Sequence, residues 1–213
     1  MNEYLNDQTN LFRKDSKKLA ERRSQWPNFE KRAIKQINEW IEDAQKSGYY
    51  EYLYLITDKD IPNRTSQNQS FLQFYAGSRP TGITATIKDK LTINLQGVSE
   101  DSGCLSIIQE PRGGVFFLAF PAKSDVLKWE DDYILINFFK SPDEVEWYDI
   151  RKAIEFYLRF ARYTSIYSEP TIWESFELWK MKLKAKVILN VLYKGAHLSL
   201  RLISALKLGM PVS

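Results

Sequence analysis

Two short stretches join arginine to glycine beside predicted strand ends: AGSRPTG, with Arg79, and QEPRGGV, with Arg112, Gly113 and Gly114. Arginine offers a planar fork of donors to phosphate or carboxylate, and adjacent glycines let backbone amides close on an anion. If the two loops meet, they form an anion pocket suited to a phosphorylated small molecule. If they stay apart, each is an ordinary turn in which glycine supplies a positive φ. Neither has the glycine spacing of a P-loop or of a dinucleotide fingerprint.

Other chemistry is thinly supplied. The one histidine, His197, lies among lysines with no acid within a helical turn, so no serine or cysteine triad follows from the sequence, nor a histidine-based metal site within one chain. Cys104 falls inside a strand pattern, where an inert buried thiol is expected. Asp58 with Asp60, and Glu130 with Asp131 and Asp132, are the acids a metal-dependent hydrolase would use, yet each group sits at a loop boundary where solvated acids belong. The expectation is a non-enzymatic binding module, with no cofactor, catalytic residue or metal ligand assigned.

The C-terminal segment KAKVILNVLYKGAHLSLRLISALKLG, 184–209, contains no acid. On a helix, Lys182, Lys186, Asn190, Lys194, His197, Arg201 and Ser204 form one polar seam, while Leu189, Leu192, Leu202 and their aliphatic neighbours cover most of the circumference. Four partners fit such a rod: a protein core or second chain, a membrane surface, a bilayer interior and a polyanion. Crossing a bilayer roughly breaks even at best. Ten aliphatic residues contribute about −5 kcal/mol and the central cations Lys194 and Arg201 cost about +6. Lying in the interface is easier, because the lysines face anionic headgroups while the apolar side sinks in.

Positioning these groups needs a fold, and the composition permits one. The chain has 213 residues, 44% hydrophobic and 14% aromatic, enough for a substantial core. Net charge is +3, but residues 180–213 carry +7, which leaves −4 for the remainder. A single cysteine excludes an internal disulfide and fits a reducing compartment, and the polar N-terminus has no signal-like apolar run. A cytoplasmic protein is expected, with the inner membrane face as the surface it would visit.

The hydrophobic period divides the chain into three segments. Residues 1–48 read as helical: a solvated arm containing the basic run RKDSKKLAERR, then a helix carrying Phe29, Ala33, Ile37, Trp40, Ile41 and Ala44 and closed by Gly48. Residues 49–140 hold seven alternating runs, at 49–57, 70–76, 83–88, 91–96, 104–109, 114–120 and 132–139, which predict an antiparallel sheet or small barrel. Residues 141–213 return to helix, with a capping-box spacing at Ser141 and Glu144 and a last helix from about Pro170. The predicted class is α+β, with an N-terminal helix, a central antiparallel sheet or barrel and two C-terminal helices. The function expected is ligand or partner binding by the β segment, with membrane attachment or self-association through the last helix. Nucleic-acid binding through 13–23, Arg159, Arg162 and the C-terminal lysines is the alternative, and acid-based metal hydrolysis a further one.

Overall fold

The computed structural model describes residues 2–49, 52–60, 70–88, 93–124 and 132–195, with side chains described outside 2, 79, 81–88, 93–98 and 189–195. Two helices lead, α1 (Asn2–Ser24) and α2 (Trp26–Lys46). Pro27 stands in the first turn of α2, where its missing N–H costs nothing. Trp26, Phe29, Ala33, Ile37 and Ile41 recur at helical spacing and are buried. Gly48, at φ +79°, ends the helix in a Schellman motif: Gly48 N–H donates to the Gln45 carbonyl and Tyr49 N–H to that of Ala44, each at 3.0 Å.

All seven predicted runs are strands. With an eighth, two-residue strand that the pattern did not predict, they form an open five-stranded antiparallel sheet and a smaller three-stranded one, so the barrel alternative is set aside. The large sheet takes β1 (Leu53–Thr57), β2 (Phe71–Ala76), β5 (Cys104–Gln109), β6 (Val115–Phe120) and β8 (Ile134–Phe139), in that order. The small sheet takes the hairpin of β3 (Arg79–Lys88) and β4 (Ile93–Asp101), with the two-residue β7 (Lys123–Ser124) on β4. The β3–β4 hairpin thus enters the chain between two strands, β2 and β5, that pair with each other.

Strand alternation assigns the faces. Phe74, Leu105, Ile107, Phe117 and Ala119 share one face by register. Against it lie α2 and α3 (Trp147–Thr164), through Trp40 and Tyr157, whose rings meet Phe74 edge-on at 6.0 and 5.7 Å. Cys104, Ser106, Ile108, Leu118 and Leu135 on the opposite face are buried as well. One continuous hydrophobic cluster takes side chains from α2, the large sheet, α3 and α4 (Ile172–Gly195).

The capping box expected at Ser141 and Glu144 does not form: these residues belong to a 3-10 turn over Pro142–Glu144, where the Ser141 hydroxyl bonds Gln25 and Glu144 accepts the Lys140 N–H at 3.0 Å. Serine-to-acid spacing recurs by chance in a polar loop. The helix begins later, where Asp149 Oδ2 accepts the Glu146 N–H at 3.0 Å. α3 then clamps the sheets together. The Tyr157 hydroxyl, buried, accepts Ala76 N–H at 3.1 Å and donates towards the Gly103 carbonyl at 3.1 Å. Thr164 Oγ1 accepts Ala122 N–H at 2.8 Å, and the buried Glu100 of β4 accepts from Ser165 Oγ and Ile166 N–H at 2.9 and 2.8 Å.

Tyr157→Phe keeps the ring and leaves the buried Ala76 amide without that acceptor, so the unfolding free energy is expected to fall by about 1–3 kcal/mol in urea denaturation. A loss below about 0.3 kcal/mol would show that the hydroxyl does not fasten the sheet junction.

Candidate functional site

The functional question settles on α4, because its chemistry is divided around its axis. A reciprocal cap starts it: Thr171 N–H donates to Glu174 Oε2 at 2.8 Å, and Glu174 N–H to Thr171 Oγ1 at 3.3 Å. Leu178 and Ala185 are buried, and Met181 and Ile188 pack half-buried against the core. Both acids of the helix turn to α3, where Glu177 Oε2 pairs with Arg159 at 2.8 Å and Glu174 with Arg162. Exposed pairs of this kind contribute about 0–1 kcal/mol. Their consequence here is geometric, since together with Leu178 they set the rotation of α4.

The opposite side is apolar and exposed. Ile172, Phe176, Trp179, Leu183 and Val187 align on it at helical spacing, with Trp173 beside them. Ile172 is 89% exposed, Trp173 77% and Val187 62%. The rings form a ladder, Trp173 to Phe176 at 6.4 Å and Phe176 to Trp179 at 5.8 Å, and Lys180 Nζ lies 4.5 Å from the Phe176 centroid. Single exposed apolar residues are normal on a surface, whereas a contiguous run marks an interaction site. Lys180 and Lys184 border the stripe on one side and Lys186 on the other, all exposed, with Lys182 half-buried nearer the core.

Of the residues singled out in the sequence, Lys182 and Lys186 therefore flank an apolar surface. Leu189, Leu192 and Lys194 belong to α4 with side chains outside the described ones, and His197, Arg201 and Leu202 lie outside the described residues. The reading from the polar seam began at Lys182 and so missed Trp173, Phe176 and Trp179. Their spacing of three residues, W-x-x-F-x-x-W, was the available signal.

The two Arg-Gly loops are not brought together. Arg79 opens β3 and pairs in register with Glu100, whereas Arg112 lies in the β5–β6 turn at the far end of β5, a strand about 20 Å long. The turn holding Gly113 and Gly114 already contains an anion of its own. Gly113 N–H donates to the Glu110 carbonyl at 2.8 Å, and the buried Glu110 carboxylate takes the Gly114 N–H and faces Arg112 and Arg22. Helix α1 covers the same turn. Arg23 Nε donates to the Pro111 carbonyl at 2.6 Å, and a Cβ on Gly113, at φ +84°, would stand 2.5 Å from Arg22 Cβ. Arginines on which the nucleic-acid reading relied are thus engaged within the fold: Arg22 and Arg23 at this turn, Arg159 and Arg162 against α4.

The acid groups are likewise dispersed. Asp60 Oδ2 caps a turn, accepting Thr57 N–H at 2.7 Å and Oγ1 at 2.9 Å, and these bonds hold its carboxyl below the usual range. Asp132 is exposed, while Glu130 and Asp131 lie outside the described residues. Among the described residues, no three of His, Cys, Asp and Glu converge as a metal site. Cys104 is buried, and burial pushes its thiol up, away from the reactive thiolate. No described helix is long and apolar enough to cross a membrane.

No protein-family model, curated protein or solved structure matches this chain.

Burial raises the Glu110 carboxyl above its ordinary range, partly offset by Arg112 and Arg22. For an acid this sign means that folding favours the protonated form, so the charged form costs stability once pH rises through the folded-state pKa. Glu110→Gln keeps an acceptor for Gly114 and removes that cost. The variant is expected to resist urea better than the parent at pH 7, the difference vanishing below the carboxylate range. A variant less stable at pH 7 would show that the arginines outweigh burial.

Proposed function

We propose that this protein is a peripheral membrane-binding module whose α4 lies in the headgroup region of an anionic lipid surface. The observation that carries the reading is the outer face of α4. An aromatic-rich apolar stripe runs from Ile172 to Val187, lysines border it on both sides, and the two acids of the helix are turned away onto α3. Tryptophan favours the interface because its ring is amphipathic, and each lysine near an anionic surface contributes about 1 kcal/mol. Long lysine stems also let the ammonium groups reach the phosphates while the stripe sinks. The sheet, α2 and α3 form the body that α4 would hold at the surface. No chemistry is assigned to that body.

Co-sedimentation with vesicles tests the reading. The full chain is expected to pellet with vesicles rich in anionic lipid and to be released by salt. Trp173→Ser with Trp179→Ser removes the aromatic anchors, and Lys180→Glu with Lys184→Glu reverses two flanking charges. Each pair is expected to lower partitioning at least about tenfold, with the folded circular-dichroism spectrum unchanged. Equal binding to neutral vesicles, or no effect of either pair, contradicts it. A chain that ignores vesicles but self-associates through these residues gives the stripe to a second copy instead.

A further inference from the structure

Helix α1 carries a second unpartnered surface with a different charge pattern. It touches the body at its C-terminal end, through Arg22 and Arg23 on the β5–β6 turn, while every described residue from Glu3 to Lys18 except the half-buried Gln8 is exposed. Leu5, Phe12 and Leu19 recur every seven residues, as do Tyr4 and Leu11, so two apolar rows run along the rod on either side of a line held by Gln8 and Asp15. Phe12 is 72% exposed and Tyr4 66%.

The charges beside these rows select their occupant. Glu3, Asp7, Lys14 and Lys18, at spacings of 4, 7 and 4, lie on one flank, acids in the first turns and lysines in the middle ones, with Glu21 following in the last turn beyond the paired stretch. The other flank, with Asn6, Thr9, Arg13 and Ser16, has no acid. In an antiparallel helix pair each flank faces its own copy, so Glu3 meets Lys18 of the partner subunit and Asp7 meets Lys14 of the partner subunit. In a parallel pair the charged flank would face the acid-free one. An anionic surface would be repelled by Glu3 and Asp7. We infer that α1 is a self-association helix that pairs antiparallel with α1 of a second copy of this chain, in a register centred between Asn10 and Leu11.

This inference rests on α1 alone and stands or falls separately from membrane binding by α4. Sedimentation equilibrium of the full chain, without lipid and at low salt, is expected to show a dimer at tens of micromolar. Glu3→Lys with Asp7→Lys makes the paired stretch of the flank, residues 3–18, wholly positive, and Lys14→Glu with Lys18→Glu makes it wholly negative. Each variant alone is expected to dimerise at least about tenfold more weakly, and an equimolar mixture is expected to recover a heterodimer. All four sites are exposed, so both variants should keep the parental circular-dichroism spectrum and unfolding midpoint. A full chain that is monomeric at about 200 μM overturns the inference. Dimers indifferent to both exchanges, or variants that fail to recover on mixing, overturn it equally.

Discussion

Helix α4 is apolar on two opposite faces, and the protomer's described core covers only one. Leu178 and Ala185 fill the inner face against the core, and the pairs Glu174 with Arg162 and Glu177 with Arg159 oppose rotation about the axis. Turning the helix to bury Trp173 and Trp179 would take Leu178 out of the core and both carboxylates from their arginines. The outer stripe is therefore exposed as a consequence of how the inner face is packed. The acids that would repel an anionic surface are held on the side away from it by the same contacts.

That arrangement requires a firm support. α3 provides it, because the polar groups along its inner side close the junctions between the two sheets. Tyr157 holds the end of β2 and the approach to β5, Thr164 holds the segment after β6, and Glu100 ties β4 to the loop that leads into α4. Each contact satisfies a buried backbone or side-chain group that would otherwise be costly. The consequence for function is positional: the Thr171 cap follows seven residues after Thr164, so α4 starts close to these contacts.

Much of this was legible in the sequence, and the exceptions have physical reasons. The alternation in ITATIK reads directly as a strand, CLSIIQ and GVFFLAF read as strands because they are short runs rich in branched and aromatic residues, and the four-residue spacing of Phe29, Ala33, Ile37 and Ile41 reads as α2. Closure was not legible. An open sheet and a barrel share one local pattern and differ only in which edges pair. The meeting of Arg79 and Arg112 depended on strand order, and the inserted β3–β4 hairpin sends them to opposite ends of β5. For the candidate site, the cationic and apolar character of the last helix was visible, whereas its orientation was not. Which of two apolar faces a helix buries is decided by the shape of its neighbour, here α3 and β8. The choice of Leu178 over Trp179 cannot be read from hydrophobicity.

The most direct test is the depth of Trp179 in a lipid surface. In a chain whose other tryptophans are replaced by phenylalanine, and which is confirmed to keep its fold, fluorescence is read on anionic vesicles carrying bromine at successive acyl positions. The account predicts a blue shift and strongest quenching by bromine near the headgroups, both abolished by Lys180→Glu with Lys184→Glu. Emission that stays at its aqueous wavelength, unquenched at every bromine depth, would contradict the claim that the outer face of α4 is built to lie in a membrane surface.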